Sequence, residues 1–483
     1  AFVDVWTGAV IAAGTSGSMY NSQVYPLPQN DMVLVSNQYA VTFIYRLSTG
    51  EMLTRGGGTN LPPVVEGDCV VVGRIVFTCI GTTADGWLRH ASPEPSPGTV
   101  AFGVAGDRVL VTSLSDVTAM LAANGSLVYS RGLPGSAVNG GVVAVGDYVV
   151  AFSTNAAVWV LDVSTGTLRH TMQMPLCQQA PTSASEYNVV VGAKVFVAGQ
   201  AGCVFAVDLT NPANPAVTVA VNALSSASGN ANDGYPTPLF KGASTVYWLD
   251  APVGLLTAID TATATTRWRS QVPVGTSYRA VAEYGVFVYA VAGSHAVNVH
   301  AANSGDIVAS VPISNGTLFG TVKAFNGRVW LPTYAGVASM NADPAAAVAG
   351  DVQYVEAFPT GQASNTAAGE ISVSADGVLV IVNPQENSAA VDTSTHRVLW
   401  TTSTGARNNG NQPPFDIVGG LVVGGVSGDG FTVRDLHTGH VFHRWKLTGA
   451  YQTVTFDDRV WIVDGVAMFA SLDNLVAGLP IGA

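Results

Sequence analysis

"VWVLDVSTGTLRH", residues 158–170, places two short apolar runs on either side of a five-residue turn, Asp162 to Gly166. Alternating apolar residues on each side are typical of β-strands with one buried face. The Asp side chain can accept hydrogen bonds from backbone N–H groups of the turn, and Gly supplies the positive φ that the reversal needs. The stretch therefore predicts a β-hairpin closed by an Asp-x-x-Thr-Gly turn.

The same turn recurs along the chain. Complete copies begin at Asp4, Asp162 and Asp435, and partial copies begin at Asp260 and Asp392. A polar turn followed by a Val-rich strand, such as "VAGDRVLVTS", precedes each copy. Each unit thus reads as four antiparallel strands in about 42 residues, which is the size of one propeller blade.

Eleven full units predict an all-β fold, a β-propeller of about 11–12 four-stranded blades; they begin near residues 18, 60, 98, 137, 178, 228, 276, 317, 364, 410 and 449. A half unit, "FVDVWTGAVIAAG", precedes them and suggests ring closure by completing a blade begun elsewhere. Because rings usually hold about four to eight blades, we expect two rings, 1–222 (half a blade plus five units) and 235–483 (six units). The alternative is a single array, 1–483, closed into one oversized ring.

The repeat consensus, roughly A-x-D-x-x-T-G-x-x-x-W, is matched best by "AIDTATATTRW" (258–268) and "AVDTSTHRVLW" (390–400). It resembles the PQQ-like repeat of quinoprotein-dehydrogenase-type propellers. That superfamily includes quinone-dependent dehydrogenases and also non-catalytic scaffolds, such as the outer-membrane-assembly lipoprotein of Gram-negative bacteria, so the resemblance implies a fold and no single function. The aromatic residue four positions after the turn, Trp268 or Trp400, is expected to dock against the neighbouring blade.

The dehydrogenases that this repeat resembles carry a vicinal disulfide beside the cofactor, a calcium held by carboxylate and amide oxygens, and a catalytic Asp. This sequence has no adjacent cysteines and no recognisable calcium cluster. We therefore expect no cofactor and no catalytic residue. The stretch "DLHTGHVFHRW" offers the best metal candidates, His437, His440 and Asp435, across one turn. An exposed turn at a blade edge is the preferred interpretation of these three residues.

The four cysteines predict two disulfides, with four buried free thiols as the alternative. Cys69 and Cys79 flank "VVVGRIVFT", so a hairpin there would bring them face to face. Cys177 and Cys203 would then pair by elimination. Sequons at Asn124 and Asn315 are compatible with a glycosylated, secreted protein, although they discriminate poorly because chance gives a few in such a chain.

Charge and hydropathy exclude several classes of partner. The net charge is −12 with no cluster of Lys or Arg, which argues against a nucleic-acid partner. No apolar run reaches about 18 residues, so we expect no transmembrane segment in this chain. The chain begins directly in strand-like sequence, from which we expect either a removed signal peptide or an excised ectodomain.

These observations favour a secreted or cell-surface β-propeller scaffold, periplasmic if bacterial, that binds protein or glycan partners through rim loops as an adhesion or assembly component. The aromatic residues expected on those loops are Tyr235, Phe358, Phe415 and Tyr451. The alternative is an enzyme, either a divergent quinoprotein-type oxidoreductase or another enzyme that acts at a propeller funnel.

Overall fold

The computed structural model contains almost only β-strands. Up to residue 90 it describes strand segments and their backbone pairing, at 2–3, 10–12, 23–27, 32–36, 41–46, 52–57, 64–66, 69–72, 75–79 and 87–90. Beyond residue 90 the described residues are 102–112, 116–134, 141–153, 156–175, 188–198, 203–222, 239–250, 254–272, 279–292, 296–313, 322–333, 336–358, 370–382, 388–402, 415–426, 430–445, 461–463, 465–470 and 475–480.

The chain begins with a two-stranded hairpin followed by two sheets that we call blades 1 and 2. The hairpin is β1 (Phe2–Val3) with β2 (Val10–Ala12), blade 1 is β3 (Gln23–Leu27), β4 (Met32–Ser36), β5 (Val41–Arg46) and β6 (Met52–Gly57), and blade 2 is β7 (Val64–Glu66), β8 (Cys69–Val72) and β9 (Ile75–Cys79). The next strand is β10 (Trp87–His90).

Blades 3 to 6 each consist of four consecutive antiparallel strands. Blade 3 is β11 (Phe102–Ala105), β12 (Arg108–Thr112), β13 (Asp116–Leu121) and β14 (Leu127–Gly132); blade 4 is β15 (Val142–Val145), β16 (Tyr148–Phe152), β17 (Ala157–Asp162) and β18 (Leu168–Gln173); blade 5 is β19 (Asn188–Val191), β20 (Lys194–Ala198), β21 (Cys203–Asp208) and β22 (Ala216–Asn222); blade 6 is β23 (Leu239–Lys241), β24 (Thr245–Asp250), β25 (Leu255–Asp260) and β26 (Thr266–Gln271).

Blades 7 to 10 repeat this order, and blade 8 carries one short helix, α1 (Pro344–Val348), between its third and fourth strands. Blade 7 is β27 (Arg279–Tyr284), β28 (Phe287–Ala292), β29 (Ala296–Ala301) and β30 (Ile307–Pro312); blade 8 is β31 (Lys323–Phe325), β32 (Arg328–Thr333), β33 (Gly336–Asn341) and β34 (Val352–Glu356); blade 9 is β35 (Glu370–Val373), β36 (Val378–Val382), β37 (Ser388–Asp392) and β38 (Arg397–Thr402); blade 10 is β39 (Phe415–Val418), β40 (Leu421–Val426), β41 (Gly430–Asp435) and β42 (Val441–Trp445).

Blade 11 combines three strands near the C-terminus with one strand that follows blade 2. Its strands β43 (Trp461–Val463), β44 (Val466–Ala470) and β45 (Leu475–Pro480) are consecutive, and its outermost strand is β10, which pairs antiparallel with β45. We expected the half unit at the N-terminus to take part in closure. In the structure β1 pairs with β2, with Phe2 opposite Ala12, and this pair joins no other described strand. Its part in closure stays a prediction.

The predicted propeller blades are confirmed, because the described strands form eleven successive sheets in the order of the eleven predicted units. The two middle strands of a blade are apolar runs buried on both faces, as in β16 and β17, whereas the outer strand β18 alternates between half-buried and exposed residues. From blade 4 to blade 10, the first strand lies against the first or second strand of the preceding blade. The first strands therefore line the inner edge, and the fourth strands lie outermost.

Neighbouring blades share apolar cores. One such core joins blade 5 to blade 6 through side chains that include Phe196 and Trp248, which are 0% and 1% exposed. The expected boundary between the two rings, 222–235, falls between these two blades. This shared core favours the single array, while the number of rings stays a prediction. Among the described residues, no helix is both long and apolar enough to cross a membrane.

Candidate functional site

The repeated turn is held by its own Asp side chain. In blade 4, Asp162 Oδ1 accepts hydrogen bonds from the backbone N–H groups of Ser164 and Thr165, at 3.0 Å each. The Gly166 N–H donates to the Asp162 carbonyl at 2.9 Å, and Gly166 has φ of 68°. Both roles predicted for the turn residues are thus confirmed, and the carboxylate is engaged in the structure of the turn.

The same arrangement recurs in blades 6, 9 and 10. Asp260 accepts from the Thr263 N–H at 2.8 Å, Asp392 from the Ser394 N–H at 2.8 Å, and Asp435 from the Thr438 N–H at 2.7 Å. Hydrogen bonds from the backbone and from Arg267 lower the pKa of Asp260 to about 2. Since the charged form is the one that accepts these bonds, the turns are stabilised when the carboxyl groups are ionised.

Asp260→Asn is expected to lower the free energy of unfolding by about 1 kcal/mol near pH 7, because the Arg267 ion pair is lost while the turn oxygen remains. The pKa of Asp260 is lower in the folded chain than its unfolded value of about 3.9, so its contribution is present above that value and is lost as the pH falls toward 2. Urea unfolding at a series of pH values checks this. The difference from wild type should shrink below about pH 4, whereas a constant difference would contradict it.

Tryptophan side chains connect two of the turns to the blade before them. Trp268 of blade 6 covers Gly305 in the turn of blade 7, and its Nε1–H donates to the Ala302 carbonyl at 2.8 Å. Trp400 of blade 9 covers Gly439 of blade 10 in the same way and donates to the Leu436 carbonyl at 2.8 Å. The docking predicted for these two tryptophans is confirmed.

Other residue types make the same connection elsewhere. His170 stands at the Trp position of blade 4, and its Nε2 lies 2.9 Å from the Pro212 carbonyl in the turn of blade 5. Tyr129 of blade 3 covers Gly166 of blade 4. The Tyr129 position lies four residues after Gly125, so counting from each Gly would have found it in the sequence.

The candidate metal ligands of blade 10 are held by separate partners. His437 Nε2 lies 3.1 Å from Asp376 Oδ2 in the first turn of blade 9, and the His440 ring packs edge-on against Phe442. Asp435 Oδ1 is occupied by the N–H groups of its own turn. Throughout the described part of the chain, no three His, Cys, Asp or Glu side chains come together in a metal-binding group.

A serine–histidine contact between blades 8 and 9 was not predicted from the sequence. Ser339 Oγ lies 3.4 Å from His396 Nε2, and it also accepts a hydrogen bond from Arg328 Nε. These residue types occur in acyl-transfer enzymes. Ser339 is 0% exposed, however, and the His396 ring stacks on Trp330 at a centroid distance of 5.2 Å. A substrate cannot reach this hydroxyl, so the contact packs two blades together.

The cysteines lie where the hairpin interpretation places them. Strands β8 and β9 pair antiparallel with Cys69 directly opposite Cys79. Cys203 is fully buried on β21 and its sulfur is disulfide-bonded. Cys177 lies outside the described residues, so its pairing with Cys203 stays a prediction, as does the bond between Cys69 and Cys79.

Peptide mapping under non-reducing conditions tests both pairings. We expect one linked peptide pair that contains Cys69 and Cys79, because directly opposite positions on paired strands are close enough for a disulfide. The second pair, Cys177 and Cys203, is expected by elimination. Reduction should separate both pairs. Recovery of all four cysteines as alkylated thiols without reduction would contradict the prediction.

The remaining candidates are partly described. Asn124 is half-buried and its Oδ1 accepts from the Ser126 N–H at 2.9 Å, whereas Asn315 lies outside the described residues. The expectation that Phe358 is an exposed rim aromatic is wrong, since it is 5% exposed in the core between blades 8 and 9. Phe415 begins β39 and is half-buried against the core of blades 9 and 10. Tyr235 and Tyr451 lie outside the described residues.

Comparison with known proteins gives a family match over part of the chain. Residues 80–310 match the sequence model of the family described as "Outer membrane protein assembly factor BamB". No protein of the curated collection matches the sequence.

Two solved structures are similar to this chain. The crystal structure of BamB from Moraxella catarrhalis is 15% identical with a TM-score of 0.44, over 80% of this chain and 96% of that one. The crystal structure of the computationally designed Ika8 protein is 13% identical with a TM-score of 0.47, over 73% of this chain and 98% of that one.

Proposed function

The chain belongs to the PQQ-like repeat β-propeller superfamily, and we propose that it is a non-catalytic scaffold that binds other proteins in an assembly. The observation that carries this proposal is that the polar side chains repeated from blade to blade are used in hydrogen bonds that hold the fold together. The Asp side chains of the described turns hold those turns, and the aromatic residues that follow them join neighbouring blades. Their chemistry supports the fold, so recognition falls to the surfaces that differ between blades.

The family match adds to the proposal, because the matching family is described as an assembly factor of outer membrane proteins. We extend the proposal to a location in the cell envelope or outside the cell. Glycan partners and a role in adhesion, both expected from the sequence, are further extensions of it. A net charge of −12 favours partners with basic surfaces.

Affinity capture with the purified, immobilised chain tests the scaffold proposal. Extracts of the cell envelope and the culture medium of the source organism are passed over it, and retained proteins are identified by mass spectrometry after a wash at moderate salt. The expected result is a small, reproducible set of proteins that also co-purify when the tag is moved to them. Heat-denatured chain on the same support is the control.

A parallel assay tests the enzyme alternative. The purified chain is incubated with pyrroloquinoline quinone, calcium, a panel of alcohols and sugars, and a redox dye. We expect no dye reduction above that of the cofactor alone. Dye reduction together with an empty capture experiment would overturn the scaffold proposal in favour of a quinoprotein-type oxidoreductase.

A further inference from the structure

Blade 7 differs from blades 4 and 6 at the bulge of its outer strand. In blades 4 and 6 the bulge residue is an arginine that binds the Asp of the turn, as Arg267 binds Asp260 at 2.8 Å. In blade 7 the corresponding residues are Val308 and Ala301. Val308 is 48% exposed, and its neighbour Ile307 is 51% exposed. An exposed ion pair has thus been replaced by exposed apolar surface.

Two further valines extend this surface. Val286, in the first turn of blade 7, is 69% exposed, and its carbonyl accepts a hydrogen bond from the Ala302 N–H at 2.9 Å, which fixes it beside the second turn. In blades 3 and 4 the same hydrogen-bonding position is an aspartate, Asp107 or Asp147. Val348 of α1 is 58% exposed, and α1 lies against β30. We call these four residues, Val286, Ile307, Val308 and Val348, the blade 7 patch.

Single exposed apolar residues also occur on other blades, so the grouping is what distinguishes blade 7. Phe442 occupies the bulge position of blade 10 and is 58% exposed. There the turn retains Asp435, and the position of Val286 is held by Gly420. Among the described residues, the blade 7 patch contains half of the large apolar side chains that are exposed. Grouped apolar side chains on a surface mark interaction sites.

Among the described strands, β30 has a partner on one side only, and it ends at Pro312 without a charged residue. β30 is the outermost strand of blade 7, and none of its six residues is charged. The outer strands β18, β26 and β38 each carry arginine, a residue that discourages strand addition.

The charged residues around the blade 7 patch indicate what kind of partner would bind there. Exposed carboxylates border the patch at Asp306, immediately before β30, and at Asp343, the N-cap of α1. On blade 8, Arg328 is bound by Asp351 at 3.1 Å. An apolar segment that carries basic side chains therefore complements this surface. A second copy of the chain would bring the same carboxylates together, and each copy has a net charge of −12.

We propose that the blade 7 patch binds an extended, basic and apolar segment of a partner protein, which adds antiparallel to the outer edge of β30. The proposal rests on the proposed scaffold function and names the surface that serves it. Backbone hydrogen bonds to β30 hold the segment, its alternate apolar side chains pack on the patch, and its basic side chains meet Asp306 and Asp343.

A fluorescent octapeptide of alternating lysine and valine is the probe, and fluorescence anisotropy with the full chain is the measurement. The test variant, Ile307→Thr with Val308→Arg, installs the two residues that blade 6 has at the same positions, Thr266 and Arg267. The fold of the variant is checked by circular dichroism and urea unfolding. The matched control, Phe442→Arg, makes the same charge change at the bulge of blade 10.

We expect the wild type and the Phe442→Arg control to bind the peptide with similar affinity, and the double variant to lose at least about tenfold. Binding should weaken as salt is raised, and a glutamate–valine octapeptide should not bind. Equal affinity of wild type and double variant, or equal binding of both peptides, would overturn the proposal. Self-association of the wild type in sedimentation, abolished in the double variant, would assign the patch to a second copy instead.

Repeating the affinity capture with the double variant separates this proposal from the scaffold function. If the double variant retains the same partners as the wild type, the scaffold function stands and the assignment of the blade 7 patch fails. If neither retains a partner, the scaffold function fails, and the peptide measurement still decides whether the patch binds the proposed chemistry. Loss of partners from the double variant alone, with retention by Phe442→Arg, supports both.

Discussion

Trp268→Ala should lower the free energy of unfolding by about 3–5 kcal/mol, the range for removing a large buried aromatic side chain. Trp268 is 8% exposed on the outer strand of blade 6, and its ring covers the turn of blade 7 at Gly305. Its removal takes away packing between two blades and also leaves the Ala302 carbonyl without the indole donor. Equilibrium urea unfolding followed by far-ultraviolet circular dichroism measures the effect.

Two variants separate the contributions to this effect. Trp268→Phe keeps an aromatic ring over Gly305 but removes the indole N–H, so a loss of about 1–2 kcal/mol is expected. Leu127→Ala removes an apolar side chain that is 58% exposed on blade 3, and it should change the stability by less than about 0.5 kcal/mol. A cost below about 1 kcal/mol for Trp268→Ala would mean that the indole does not hold blades 6 and 7 together.

Most of the fold could be predicted from the sequence because the repeated turns mark where the strands of each unit begin and end. Each Asp-x-x-Thr-Gly turn requires a carboxylate and a residue that tolerates positive φ, and both are visible in the sequence at Asp162 and Gly166. The one short helix has a local signal too, since Asp343 caps α1 (Pro344–Val348) and Pro344 follows it directly. Local chemistry of this kind depends on neighbours in the chain, so the sequence contains it.

Contacts between distant segments could not be predicted in the same way. β10 pairs with β45 through backbone groups, which every residue possesses, so nothing in "WLRH" identifies its partner almost at the other end of the chain. The contact between His437 and Asp376 likewise depends on how two blades are stacked. From the sequence, His437 and His440 could be considered as metal candidates because they are near each other in the chain. The sequence does not show that the Asp376 carboxylate of the preceding blade lies beside His437.

The blade 7 patch could not be predicted from the sequence for a different reason. Val286 and Val308 are unremarkable in a Val-rich chain, where most valines of the described strands are buried. Only the aligned positions of the other blades show that Asp107 and Arg267 stand where these two valines stand. The patch is recognised only when the repeat position of each valine is combined with its solvent exposure, and the exposure is known only from the structure.

Gly305→Ala should lower the free energy of unfolding by about 3 kcal/mol, whereas Gly285→Ala in the same blade should cost about 1 kcal/mol. Both glycines have positive φ, 78° for Gly305 and 60° for Gly285, so both variants strain the backbone. A methyl group on Gly305 would lie 2.6 Å from Trp268 Cδ2, while nothing lies within 4 Å of one on Gly285.

The difference between these two variants isolates the contact between the blades from the strain within the turn. In the Trp268→Ala background the clash is absent, so Gly305→Ala should then cost about 1 kcal/mol, as Gly285→Ala does. A double-mutant cycle from urea unfolding therefore gives a coupling of about 2 kcal/mol between positions 268 and 305 and none between 268 and 285. Equal costs for the two glycine variants in the wild-type background would mean that the turn needs Gly305 for its backbone conformation alone. In that case Trp268 would contribute to stability without requiring glycine in the turn of the next blade.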